Sequence, residues 1–418
     1  MLLIGSAVAE IPFELPVPQA GFAARSEPAH GIHDPITASA VAVGDTCLVV
    51  IDTPGLDREF CAELAAALAV PAEGVVVTAT HTHAGPALMR GGLGTHSEAA
   101  RETALRTGIE VARAALESRR PRRAWWADAG AVGVATDRRK GGRPDDARLH
   151  VLRWEAVDDS PEGWLLTYPC HPTVLGPDTL ELSADYPGYV RATVAEARPG
   201  AHVVFATGCA GDLNTGHLVS ASYTGVPSED RTFAQAEKLG RRIAEAALAA
   251  SFEEVGGDAV AARRTTLTLP MEPVDGRDGA PLVPEWEAGK AGATPGQAAV
   301  LQCWIDWAAR PDAGSAAEWT GSVTVARWGD VRLVALPGEP FLAAATTIER
   351  ESGAERLLCL GYAGGTPGYF PMAADYPDGG YEVLDAHRYY GMPSPFARGS
   401  AERLVNAAVR ELRMLGAD

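Results

Sequence analysis

Short apolar runs recur along the chain, and several pass directly into loops rich in Gly, Pro, His and Asp. Ala40-Val41-Ala42-Val43 and Cys47-Leu48-Val49-Val50-Ile51, joined by Gly44-Asp45, predict a β-hairpin. Arg58 to Val70 places Phe60, Leu64 and Leu68 at helical spacing and stops at Pro71. Gly74-Val75-Val76-Val77 reads as a buried strand and runs into Thr78-Ala79-Thr80-His81-Thr82-His83-Ala84-Gly85-Pro86. Gly91-Gly92-Leu93-Gly94 predicts a flexible loop. A helix then starts with Ser97 as its N-cap and runs to about Arg119. The basic run Arg119-Arg120-Pro121-Arg122-Arg123 reads as a solvated cap at its C-terminal end.

A short strand is expected at Val132 to Ala135, leading into Thr136 to Gly142. Val151–Trp154 and Trp164–Tyr168 predict strands, and the second enters Pro169-Cys170-His171-Pro172-Thr173. A helix is expected to about Arg198. A strand from His202 to Ala206 then ends in Thr207-Gly208-Cys209-Ala210-Gly211-Asp212-Leu213-Asn214. Ser228 opens a long helix to about Ala250. Residues 256–317 are Pro/Gly-rich and weakly periodic, with a strand at Thr265–Leu269 and helical pattern from Gln297 to Trp307; they read as a subdomain or a lid insertion. Val331–Leu336 is a strand ending in Pro337-Gly338-Glu339-Pro340, followed by a helix over Phe341 to Arg350. Arg356–Leu360 leads into Gly361 to Tyr369, and Ala397 to Leu415 closes the chain as a helix.

Five strands thus end in polar, Gly/Pro-bounded loops, those before His81, His171, Gly208, Glu339 and Gly361. In α/β sheets ligands bind outside the carboxyl ends of strands, so these loops are expected to converge. The expected fold class is α/β: a mixed β-sheet core flanked by helices, with a metal site at strand C-terminal ends, on one domain spanning residues 1–418.

Composition removes some partners. The 418 residues are 46% hydrophobic, with a formal net charge of −18. That balance disfavours non-specific binding to nucleic acid or anionic membranes. Six cysteines are scattered without a Cys-x-x-Cys pair, as in a reducing compartment. No run reaches the ~18 apolar residues of a membrane span, and the first residues lack the basic region of a signal peptide. The expected location is cytoplasmic, with a small-molecule substrate and no stable membrane association.

The chemistry lies in the loops. Residues i and i+2 of an extended chain share a face, so His81 and His83 are expected to emerge together as a metal or acid/base site, or as a hydrogen-bonded pair at a loop. His81 and His171 are candidate nitrogen ligands and Glu339 a candidate oxygen ligand, the donor set of many catalytic zinc sites. Glu339 alone reads equally as the cap of the helix after it. His30, His33, His96, His150, His202, His217 and His387 lack the strand-to-loop placement. The glycines of Gly208–Asn214 allow backbone amides to approach a ligand, but neither nucleotide-binding glycine pattern occurs. No Gly-x-Ser-x-Gly elbow occurs, and Cys209 reads as a buried thiol.

Taken together, Thr80-His81-Thr82-His83-Ala84-Gly85-Pro86, His171-Pro172-Thr173, Ser183-Ala184-Asp185-Tyr186-Pro187-Gly188, Gly211-Asp212-Leu213-Asn214, Pro337-Gly338-Glu339 and the spacing of Tyr369, Tyr376, Tyr381 and Tyr390 resemble the catalytic domain of neutral/alkaline (non-lysosomal) ceramidases. The resemblance implies a zinc amidohydrolase with His81, His171, Glu339 and Tyr376 as ligands, Tyr381 being the rival for the last. It implies that His83, Arg138 and Tyr390 face the substrate carbonyl or the oxyanion, and that Gly211, Asp212 and Asn214 contact substrate. Asn214 stands where the family carries serine, so an activated water rather than that hydroxyl is expected to act. The chain also ends where the family adds an immunoglobulin-like domain, which moves the expected substrate from a membrane lipid to a small soluble amide or ester. The alternatives are non-hydrolytic Lewis-acid chemistry (elimination or acyl transfer) and a non-catalytic ligand-binding homologue.

Overall fold

In the computed structural model, which describes residues 1–92, 96–223, 228–273 and 279–417, three β-sheets meet in the interior. The first has the order Val75–Ala79, Thr46–Ile51, Thr37–Val43, Leu2–Glu10, Arg120–Arg122. The second runs His202–Thr207, Gly163–Tyr168, Arg148–Trp154, Ala124–Ala131, Glu253–Glu254. The third runs Val260–Met271, Ala317–Trp328, Val331–Ala335, Leu357–Leu360. The fold is therefore mixed α/β, as the alternation of strand and helix patterns implied.

Each sheet has one parallel pair, and the rest of its named pairings are antiparallel. The parallel registers are Ile51 with Ala79, Tyr168 with Thr207, and Ala335 with Leu360 at their last residues. Strands buried on both faces need apolar residues at every position rather than at alternate ones, which is why these six were legible as continuous runs. One face of each sheet contributes to a shared core: Leu48, Val50 and Val76 from the first, Leu152, Leu165 and Val204 from the second, Leu333 and Leu358 from the third. Each such side chain stabilises the fold by roughly 1.5–3 kcal/mol when fully buried. The opposite faces carry helices, through Phe60, Leu64 and Val111 on the first sheet, Val190 and Ile243 on the second, and Ile348, Leu404 and Leu412 on the third.

Hydrogen bonds between sheets then gather the ends of the parallel pairs. Thr78 Oγ1 donates to the Gly361 carbonyl at 2.9 Å, and Thr207 Oγ1 to the Thr80 carbonyl at 2.6 Å. These bonds are buried, where removing one partner costs about 1–3 kcal/mol.

Several expectations change. The basic run does not cap a helix in solvent: Arg120–Arg122 pairs antiparallel with Leu2–Ile4, and Arg122 is buried, donating to the carbonyls of Glu155 and Pro161 at 2.8 and 2.6 Å. The strand expected at Val132–Ala135 lies earlier, at Ala124–Ala131, because that stretch finds a partner in Arg148–Trp154. The long helix begins at Phe233, capped by Thr232 rather than Ser228. Within residues 256–317, Val260–Met271 belongs to the third sheet, pairing along its length with Ala317–Trp328. The helices Val283–Gly289 and Pro295–Ala308 lie between them, and residues 274–278 of this region are outside the described residues. So are Leu93 and Gly94 of the expected glycine-rich loop. Among the described residues no helix is long and apolar enough to cross a membrane.

Candidate metal centre and cleft

The loops after the parallel pairs bring His81, His171 and Glu339 together, all at most 2% exposed. His171 Nε2 lies 2.8 Å, and His81 Nε2 3.2 Å, from the same oxygen, Glu339 Oε2. His83 Nε2 is 3.1 Å from His81 Nε2. One ligating atom from each of His81, His83 and His171 lies within 4.8 Å of the others.

The other ring nitrogens fix the tautomers. His171 Nδ1 sits 2.6 Å from the Ala210 carbonyl and 2.9 Å from the Leu213 carbonyl, and His81 Nδ1 bonds the Pro54 carbonyl. A carbonyl only accepts, so both Nδ1 atoms carry hydrogen, and in the neutral rings both Nε2 atoms present lone pairs. Burial, with the Arg138 charge adding to it, pushes the His171 imidazole down to about 4. Burial likewise holds His83 well below 6.5. Burial opposes ionisation of Glu339, but the neighbouring imidazoles outweigh it and hold the carboxyl well below the usual range. With hydrogen on both Nδ1 atoms, His81 Nε2 and His171 Nε2 face Glu339 Oε2 at one point, an arrangement that a cation satisfies.

The backbone accounts for the convergence. His81 and His83 are not brought together by strand pleat. The strand ends at Ala79, and His81 takes a φ of +66°, so a turn sets the two rings 4.7 Å apart, nearly perpendicular. His81 N donates to the Thr53 carbonyl at 3.0 Å, which holds that left-handed residue in place. Tyr362 stacks on the His81 ring at 4.2 Å. Glu339 is seated by Gly211, whose N–H donates to the Pro340 carbonyl at 2.9 Å.

The remaining expected residues fall in different places. Arg138 lines the cleft. Its Nε donates to Glu382 Oε1 and its Nη2 to the Gly211 carbonyl, both at 2.8 Å. Tyr390 donates to Glu339 Oε1. The Tyr376 hydroxyl donates to the Phe396 carbonyl at 2.7 Å and lines a separate small cavity, so the structure does not bring it to the histidines. Tyr381 lines the cleft, its ring 5.6 Å from that of Tyr369. Tyr369 also reaches the histidines, with its hydroxyl 3.3 Å from His171 Nε2. Asp212 caps the helix Leu342–Ser352 by accepting from Leu342 N at 2.8 Å. Asn214 lines the cleft with its amide turned into its own loop, donating to the His217 carbonyl and accepting from Gly216 N. Cys209 is buried beside Cys359.

Sequence reasoning did not single out Phe22, Tyr223 or Arg231, which also line the cleft. No local pattern marks them, because each reaches the cleft from a stretch with no strand-to-loop signature. His217 lines the cleft too, although it lacks that placement.

No protein-family model matches the chain, and no curated protein matches it. Among solved structures it is similar to neutral ceramidase from Pseudomonas aeruginosa, with a TM-score of 0.73 at 18% identity over 99% of this chain and 75% of that one. A structure of ceramidase complexed with C2 gives a TM-score of 0.74 at 17% identity, covering 100% of this chain and 75% of the other. The chain has a neutral-ceramidase-like fold.

Proposed function

We propose that the protein is a metal-dependent hydrolase of a C–N amide bond, with zinc as the fitting ion and a small or acylated amide as substrate. The observation that carries this reading is the pair of Nδ1–H tautomers, which leaves His81 Nε2 and His171 Nε2 facing Glu339 Oε2. Two imidazole nitrogens and a carboxylate are a common catalytic zinc set. His81, His171 and Glu339 would hold the ion, with the Tyr369 oxygen in the place expected for Tyr376, and His83 within reach of the same point. Bound there, zinc supplies a Lewis acid for the amide carbonyl and lowers the pKa of a water toward ~7. The likeness to ceramidase structures supports the amide class.

The chain's own groups divide the remaining work. His83, kept neutral by burial, takes a proton on a ring nitrogen as water adds and returns it to the departing amine. Arg138 places a fixed positive charge at the cleft wall, where the carbonyl oxygen gains negative charge. Tyr390 holds the outer oxygen of Glu339 and so sets the carboxylate's orientation. Asn214, with its amide engaged in its own loop, has no hydroxyl to attack with, which leaves water as the nucleophile.

The test is metal content and hydrolysis together. Purified wild type and His171→Ala are analysed for zinc and assayed on a panel of N-acyl amides in oxygen-18 water. We expect bound zinc and labelled carboxylate product in wild type, and neither in the variant. A wild type that hydrolyses amides after exhaustive chelation overturns the reading.

A further inference from the structure

The whole chain carries a formal charge of −18, yet no Asp or Glu is among the described residues lining the cleft. Two arginines do line it, Arg138 and Arg231. Arg138 is balanced by Glu382. Arg231 is not. It is 5% exposed, and its guanidinium donates only to backbone carbonyls: Thr173 at 3.2 Å, Leu175 at 3.1 Å, and Val174 and Ala221 at 3.4 Å. Arg25 lies behind it in the same condition, donating to the carbonyls of Ala20, His83 and Gly176. Both guanidiniums lie 5.1 Å from the centre of the Phe22 ring, and that ring packs edge-on against His83 at 4.9 Å. Among the described residues neither arginine has a carboxylate within 4.0 Å.

Asp178 and Asp185 act on Arg231, and Asp178 on Arg25, but from beyond ion-pair distance. A buried cation with no paired carboxylate is expensive, and two that share one ring also repel each other. Burial pushes the Arg25 guanidinium down to about 9, with Asp178 opposing the shift and the Arg231 charge adding to it. His217 adds no charge, since burial holds its imidazole at about 4. With no carboxylate paired to Arg231 and none lining the cleft, the open side of this guanidinium suits an anion brought in from solution. Guanidinium recognises carboxylate through charge-assisted hydrogen bonds, and a cleft without acidic lining in an acidic protein draws anions.

We propose that the substrate is an amide one half of which carries a carboxylate, an N-acylated amino acid in chemical class, and that Arg231 is the specificity residue that receives it beside His83. This inference rests on the amide-hydrolase reading above, and it narrows that reading from amides in general to anionic ones.

The test compares N-hexanoylglycine with N-hexanoylglycinamide, which differ in charge and little in shape, on wild type, Arg231→Lys and Arg231→Gln. We expect wild type to favour the acid by about tenfold or more in kcat/KM at low salt, with the ratio narrowing as salt is added. Arg231→Lys should keep part of that ratio, and Arg231→Gln should bring it near one. If wild type cleaves both probes with equal efficiency, or favours the amide, Arg231 is only a clamp for the carbonyls of Thr173 to Leu175. The inference is then wrong while the hydrolase reading stands. If wild type cleaves neither probe, calorimetric binding to the same protein decides. Tighter binding of the acid, lost in Arg231→Gln, supports anion recognition without hydrolysis, and equal or absent binding overturns the inference. The comparison of probes on wild type needs no variant, so a misfolded Arg231→Gln does not block it.

Discussion

His171 Nε2 and Glu339 Oε2 lie 2.8 Å apart with no hydrogen of the neutral ring between them, because Nδ1 has given its own to the carbonyls of Ala210 and Leu213. Two acceptors at that distance repel unless a cation or a proton joins them. The first prediction follows from that contact. Stripping metal with a chelator should lower the melting temperature by several degrees, since an ion standing ~100-fold above its dissociation constant stabilises the fold by about 2.7 kcal/mol. Zinc should restore the loss in wild type and not in His171→Ala. Calorimetric melting with and without chelator checks it, and an unchanged wild-type melting temperature would show that protons, not metal, bridge the pair.

The two tyrosines at issue separate cleanly. Tyr369→Phe removes the hydroxyl 3.3 Å from His171 Nε2 and should lower zinc affinity and activity by about tenfold or more. Tyr376→Phe removes only a bond to the Phe396 carbonyl and should cost about 1 kcal/mol of stability with metal content intact. Zinc titration of both variants tests the assignment, and the reverse ranking would return the ligand role to Tyr376.

Those tyrosines also show how far the sequence could be read. His81, His171 and Glu339 were legible because apolar strands with continuous hydrophobic runs lead straight to them, and strand ends are where α/β folds place ligands. The approach of Tyr369 to His171 was not, because spacing from Glu339 ignores how the intervening chain folds. The strand Tyr369–Phe370 pairs parallel with Glu339–Pro340 and so places Tyr369 at the site, while Tyr376 starts a 3-10 turn beyond it. Ala124–Ala131 escaped notice because an Ala-rich strand has weak intrinsic β preference and depends on its partners. Ala317–Trp328 was hidden for a related reason: it gains its meaning from pairing with Val260–Met271, across a helical excursion. Arg231 had no local mark at all, since an unpaired charge can be recognised only once its surroundings are known.

A pH dependence should follow from Asp212. Burial raises its carboxyl from the ordinary 3.8 to about 6, so the folded state holds this proton more tightly than the unfolded chain does. Raising the pH from about 4 to about 6 therefore favours the unfolded state through this group, and the loss is complete above 6. Asp212→Asn keeps an oxygen to accept from Leu342 N and removes the titration. Relative to wild type, the variant's stability should rise across that window and stay higher by a constant amount above it. Urea unfolding at several pH values measures the difference, and a flat difference would refute the assignment.

Gly211 ties the helix cap to the candidate metal centre. A Cβ added there would stand 2.4 Å from the Glu339 carbonyl oxygen and 2.9 Å from the Phe341 ring. The first of these is backbone and cannot swing aside, so the segment carrying Glu339 has to move. Forcing extra volume into such a site typically costs about 1–3 kcal/mol. The larger effect should fall on function, because Glu339 Oε2 is the oxygen shared by His81 and His171. Gly353→Ala provides the comparison: Gly353 ends the same helix with a φ of +69° and has nothing within 4 Å of the added Cβ. It should lose about 1 kcal/mol through backbone strain alone. We expect both variants to be less stable, and only Gly211→Ala to lose zinc and amide hydrolysis. If Gly211→Ala keeps its zinc, the close approach of residue 211 to residue 339 does not set the carboxylate, and another contact does.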